Sequence, residues 1–218
     1  MKFKIGILIL LLCQIVKAQQ SEMSVNQNQY NSDFTASSEL KEQFEIIEES
    51  NNKFKLVAKS KDNEKISVFI QNNTNEIIEL SHQDNQIYIL QEAMDKNGLW
   101  KPIEYWESSD CGNSFGQIKI EPNGIIETES TKYQGSFKTK IRFKLSADDR
   151  VFYSNILDGS INPNKLIIPN DFSFLWPLVL MGKETPIEIQ KKVIFLEPNG
   201  MKEFNEYFTK SKSKKQKD

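Results

Sequence analysis

The sequence predicts an all-β domain, an antiparallel β-sandwich finished by a short C-terminal helix, and three observations carry that prediction. Phe137, Thr139, Ile141, Phe143 and Leu145 alternate with Lys138, Lys140, Arg142 and Lys144, and a period of two belongs to a strand with one buried face. Other apolar runs are separated by Asn, Asp and Gly pairs, residues that tolerate the positive φ of tight turns. These turns often stand roughly ten residues apart, the spacing of sandwiches and barrels.

Taken from the N-terminus, the chain opens with Lys2 and Lys4, an apolar run from Ile5 to Ile15, and Val16 and Ala18 at the positions a signal peptidase reads. This order predicts a cleavable signal peptide over residues 1–18, cut after Ala18, and hence a secreted or periplasmic protein. An apolar run of about 11 residues is shorter than the ~20 a spanning helix needs, so no transmembrane segment is expected in the mature chain. Leu12 is too large to precede a lipid-modified Cys13. Cleavage removes three of the 28 basic side chains and none of the 30 acidic ones, leaving a mildly acidic protein. It also removes Cys13, so Cys111 stands alone, no intrachain disulfide is expected, and the fold must rest on its apolar core.

Residues 19–42 are rich in Gln, Asn, Ser and Glu and read as a flexible polar leader, because they offer little apolar surface to offset ordering entropy. The β-sandwich domain is expected over 43–209. Its strand runs are Phe44–Ile47, Phe54–Ala58, Lys65–Gln71, Ile77–Leu80, Ile87–Leu90, Leu99–Trp106, Gln117–Ile120, Phe137–Leu145, Val151–Leu157, Leu166–Ile168 and Ile187–Leu196. Phe69 on the polar side of its run predicts that this face is partly covered. Asp158-Gly159 is among the expected turns. Glu-Pro-Asn-Gly occurs at 121–124 and at 197–200 and reads as one turn used twice. Met201, Phe204 and Phe208 at helical spacing predict the C-terminal helix. Five lysines without an apolar residue predict a disordered Lys-rich tail over 210–218.

The candidate catalytic residues are Cys111, with Gly112 beside it, and His82, the sole histidine. A cysteine nucleophile needs a base, so these two define the alternative reading, a secreted cysteine-dependent hydrolase. The expectation for Cys111 is otherwise a buried thiol. One Cys and one His are too few for a zinc site, and no calcium loop, phosphate loop or nucleophile elbow occurs, so neither metal nor cofactor is expected. Trp100 and Trp106 fall on one face of their run with Tyr105 opposite, and the three are the candidate binding residues. Pro102 within the run predicts an edge or a bulge. The Lys138–Lys144 stripe reads as a solvated face; with a net acidic chain and no aromatics on that face, nucleic acid is not an expected partner. Asn72-Asn73-Thr74 matches a glycosylation sequon.

The run from Ile66 to Ile77, the Asp95–Trp100 hairpin signal and the Gln-Gln that follows Ala18 resemble secreted immunoglobulin-like β-sandwich proteins of Gram-negative bacteria. The resemblance covers residues 65–157. It implies an immunoglobulin-like sandwich and no particular activity, and without the Cys…Trp…Cys core it does not extend to antibody domains. Export, β architecture and the missing catalytic constellation together predict a non-enzymatic binding or accessory module that recognises a protein or glycan at the cell envelope.

Overall fold

The computed structural model describes residues 21–46, 52–109, 111–169, 172 and 185–215; the signal segment 1–18, Asp110 and Trp176 lie outside them. Their strands are β1 (Ser24–Val25), β2 (Gln29–Asn31), β3 (Phe54–Ser60), β4 (Lys65–Asn72), β5 (Ile78–Gln83), β6 (Gln86–Ile87) and β7 (Ile89–Met94). There follow β8 (Trp100–Pro102), β9 (Glu104–Tyr105), β10 (Phe115–Ile120), β11 (Ile125–Thr131), β12 (Phe137–Ala147), β13 (Arg150–Tyr153) and β14 (Leu157–Ile161). The helices are α1 (Ser38–Ile46), α2 (Ile187–Ile194) and α3 (Gly200–Lys215).

Two antiparallel sheets, ordered β2-β11-β4-β3 and β13-β12-β7-β8, share one core. The inward set is the alternating one: Leu56 and Ala58, Ile66, Val68 and Ile70, Ile89 and Ala93, and Ile141, Phe143 and Leu145. Each Leu, Ile, Val or Phe among them contributes about 1.5–3 kcal/mol by leaving water. A third antiparallel sheet, β10-β5-β6, adds Ile78, Leu80, Ile118 and Ile120 to the same core. The domain is therefore mostly β and antiparallel, as expected.

Helices cover the outer faces. Leu40 and Phe44, four residues apart on α1, bury Val57 and Phe69, which accounts for the apolar residue on the polar side of β4. Of the expected strand Phe44–Ile47, residues 44–46 are the end of a helix and Ile47 lies outside the described residues: Ser37 Oγ accepts the Leu40 N–H at 3.2 Å, and an N-cap with i,i+4 apolar spacing outweighs a short apolar run. The expected strand Ile187–Leu196 is likewise α2. Pro186 opens it, its carbonyl accepting the N–H groups of Ile189 and Gln190 at 2.9 and 3.1 Å, and Gln190 and Ile194 on one face are buried. The single short C-terminal helix is in fact this pair, joined through Phe195, Ile194 and Phe204 around Phe172. The backbone of α3 stays helical to Lys215, into the segment expected to be a disordered tail.

The largest correction concerns the leader. Residues 24–31 supply β1 and β2, which pair with β9 and β11. Asn28 is fully buried, and its amide accepts the N–H of Ile87 and donates to its carbonyl, at 2.9 and 2.8 Å. A polar segment orders here because its amides pair with backbone groups that would otherwise be buried unpaired. The same economy hides β11, which no hydrophobic period announces. Its Glu127 accepts from Ser67 Oγ at 2.6 Å and from Asn31 at 2.8 Å, while Thr128 donates to Asn28 at 2.9 Å.

Smaller departures have local causes. The run from Leu99 to Trp106 breaks at Ile103, so β8 is an edge strand on β7 and β9 pairs in parallel with β1. Asp158-Gly159 is not a turn but part of β14, where a Cβ on Gly159 would stand 2.5 Å from Ile141 Cγ1. Leu166–Ile168 closes and leaves the 3-10 turn Pro163–Leu166 instead of forming a strand. Both Glu-Pro-Asn-Gly copies make one turn: Gly124 and Gly200 donate to the carbonyls of Glu121 and Glu197 at 2.8 and 3.0 Å, with Asn123 and Asn199 at φ 57° and 61°.

The basic stripe of β12 does not face solvent as a row. Lys140 pairs with Asp158 at 2.7 Å. Lys144 is only 1% exposed and donates to Glu197 at 2.7 Å, with Glu92 at 3.5 Å. Arg142 bonds Glu92 through Nε and Nη2 at 2.7 and 2.6 Å, its guanidinium 4.4 Å from the ring centre of Trp100 and 3.8 Å from that of Tyr153. Lysine has neither the planar fork nor the stacking surface, so Arg142→Lys is expected to cost about 1–2 kcal/mol, read from urea denaturation midpoints.

Candidate functional site

The three candidate binding aromatics take different places. Trp100 lies half-buried over Arg142. Tyr105 packs into the cluster of Phe172, Ile194 and Phe204. Trp106 is 4% exposed, with its ring centroid 4.6 Å from that of Tyr88. The break at Ile103 turns the two tryptophans of one expected face into separate environments.

Cys111 is exposed, contrary to the buried thiol expected, because it heads the 3-10 turn Gly112–Ser114 on the connection into β10. His82 on β5 faces Gly116 of β10, where a Cβ would come within 2.4 Å of the imidazole Nε2. No hydrogen bond joins the thiol to the imidazole among the described residues, and His82 Nδ1 is buried without a partner. Nor do three His, Cys, Asp or Glu side chains gather as a metal site among these residues.

The Tyr88–Trp106 pair lies in a cleft of about 430 Å³, within the ~300–1,000 Å³ of small-ligand sites. Four elements build it. β5 supplies Ser81, and Tyr88 alternates outward between the buried Ile87 and Ile89. The β12–β13 turn supplies Asp149, held with Asp148 at φ 55° and 52° in the left-handed hairpin conformation. The α2–α3 corner supplies Lys192, Leu196 and Met201. The Trp106 backbone N–H donates to the Ile194 carbonyl at 2.7 Å, which fastens the aromatic wall to that corner.

Two features of the cleft are out of balance. Among the described residues the Trp106 indole Nε1 is buried with no hydrogen-bond partner, an arrangement that costs about 1–3 kcal/mol. Leu196 is held at φ 52°, where a bulky residue gives up about 1–2 kcal/mol. Costs of this kind concentrate at binding sites. Burial, then the nearby Asp84, pushes the Tyr88 phenol above its ordinary range, so it stays protonated at neutral pH. Among the rim charges Lys192 is engaged by Glu203 at 2.7 Å and Glu197 by Lys144. Tyr88 went unnoticed in the sequence because it looks like one more residue of an apolar strand; its position between two core isoleucines was the available signal.

A second polar centre holds the N-terminal strands to the sandwich. Glu104 is fully buried; Oε2 accepts from Asn26 at 2.7 Å and the Gln91 N–H at 3.0 Å, and Oε1 from Tyr133 at 2.8 Å. Burial pushes its carboxyl up, against the pull of those donors and of Lys165. Burial likewise raises the Tyr133 phenol and lowers the Lys165 ammonium, which sits 3.8 Å over the Tyr133 ring. No helix among the described residues is long and apolar enough to cross a membrane. No protein-family model matches this chain, and no curated protein matches it either.

Proposed function

We propose that the protein is an exported, non-enzymatic binding module of the cell envelope, built on an immunoglobulin-like sandwich, whose Tyr88–Trp106 cleft holds a glycan. The signal segment over 1–18 supports export. The strand connections support the immunoglobulin-like frame: β3, β4 and β11 share one sheet as strands A, B and E do, against β8, β7, β12 and β13 in the places of C′, C, F and G.

The observation that carries the ligand is the tilted Tyr88–Trp106 aromatic pair lining a cleft with Asp149 and Ser81 at its rim. A pyranose ring offers a C–H face to the electron-rich face of an aromatic ring. Its hydroxyls donate to Asp149 and Ser81 at the rim. One apolar wall with a few convergent polar groups is the composition of a small-ligand site.

A glycan array followed by calorimetry with the retained oligosaccharide tests this reading. Met201 is 53% exposed at the cleft, so Met201→Arg should leave the fold intact and weaken binding at least tenfold. Tyr88→Ala should do the same. A silent array, or a ligand whose affinity survives both substitutions, overturns the proposal.

A further inference from the structure

The larger cleft, about 930 Å³, lies at the end of the sandwich where the β3–β4 and β7–β8 turns meet the start of β12. β7 pairs with β12 only over Ile141–Leu145, so the first half of β12 has no β7 residue beside it and the space between the sheets opens. The floor is apolar: Ile66, Ile141 and Ile161 belong to the core, and Phe137 and Leu157 pack against it while remaining partly accessible. Gly159 keeps this floor level, since a Cβ there would run into Ile141.

The rim is positive. Lys96, Lys132, Lys138 and Lys140 line the cleft with two carboxylates, Asp95 and Asp158. Both acids are already neutralised, Asp95 by Lys101 at 3.0 Å and Asp158 by Lys140 at 2.7 Å. Lys132 donates to neutral oxygens, Ser60 Oγ at 2.6 Å and the Asp62 carbonyl at 2.9 Å. Lys96 and Lys138 are exposed, with no ion pair among the described residues. Three cations thus stand around an apolar slot without an ion pair among the described residues, in a chain whose formal charge is −2. Charge focused at a concave apolar surface selects a ligand of opposite sign with a hydrocarbon body.

We infer that this cleft binds a single-chain amphiphile with an anionic head, the acyl chain lying on Phe137, Ile141 and Leu157 and the head among Lys96, Lys132 and Lys138. The site is separate from the Tyr88–Trp106 cleft and does not depend on the glycan reading.

Calorimetric titration of the full mature chain, below micellar concentrations, tests the inference with dodecanoate, dodecyl phosphate and dodecyltrimethylammonium. One equivalent of an anionic amphiphile should bind, the tighter of the two identifying carboxylate or phosphate as the head, and the cation of equal chain length should not. The double variant Lys96→Glu, Lys138→Glu changes exposed residues only and should weaken binding at least tenfold with an unchanged circular dichroism spectrum. Leu157→Asp should weaken it as much, and Met201→Arg should leave it unchanged. Absence of binding by both anions, equal binding of the cation, or indifference to the lysine substitutions overturns the inference.

Discussion

Replacing Glu104 by Ala is expected to lower the free energy of unfolding by about 4 kcal/mol, because removing one member of a buried charged network strands its partners. The Asn26 amide, the Gln91 N–H and the Tyr133 hydroxyl would lose their acceptor, and Lys165 would lose the buried carboxylate that offsets its own burial. Because Asn26 and Ser24 belong to this network, hydrogen exchange should quicken first in residues 24–31. The pH dependence has a definite sign. Burial raises the Glu104 carboxyl, so folding favours its protonated form. That contribution is fully present below the ordinary carboxylate range and fades as pH rises through the raised folded value. The stability difference between wild type and Glu104→Ala should therefore be larger near pH 4 than near pH 8. Equal differences in urea melts at both pH values would contradict this assignment.

Asn72→Ala is expected to cost about 3 kcal/mol, since it leaves several buried groups unpaired at once. Asn72 is fully buried at the end of β4. Its amide nitrogen shares its two N–H groups among the carbonyls of Glu76, Ile120 and Glu121 at 2.7, 2.9 and 3.1 Å, and its oxygen accepts the Thr74 N–H at 2.9 Å and hydroxyl at 2.7 Å. One side chain thus joins the end of β4 to the turn after β10. Asn72→Asp keeps size and acceptors but loses the donors, so it should be destabilised nearly as much; thermal melts of the two variants check this. The sequon at Asn72 is closed in the folded chain, because the nitrogen that would carry a sugar is buried and already bonded.

These two buried polar side chains belong to the part of the fold that no local pattern announces. Core strands such as β4 and β12 announce themselves through alternation, because burying Ile66, Val68 and Ile70 or Ile141, Phe143 and Leu145 requires one face of the pleat to be apolar. The turns around Asn97-Gly98 and Asn123-Gly124 were legible for an equally local reason, their need for positive φ. Glu127, Thr128 and Ser130 of β11 gave no such sign. A polar residue is buried only where a partner distant in sequence meets its hydrogen bonds, and no local pattern records that partner.

The candidate sites divide in the same way. Trp106 was marked by residue type, but its pairing with Tyr88, and the separation of Trp100 and Tyr105 from it, follow from the break at Ile103 and the docking of α2. Cys111 and His82 were visible as residues, whereas the thiol's exposure depends on the turn that carries it. By itself, then, the sequence determined the β class, the central strands and the turn chemistry, all consequences of short-range sterics and hydrophobic period. The tertiary structure alone decided that the polar leader joins the sheets, that two apolar runs are helices, and that Lys144 is buried in an ion-pair network. Each of those outcomes depends on hydrogen-bond and charge partners that lie far away along the chain and meet only in the fold.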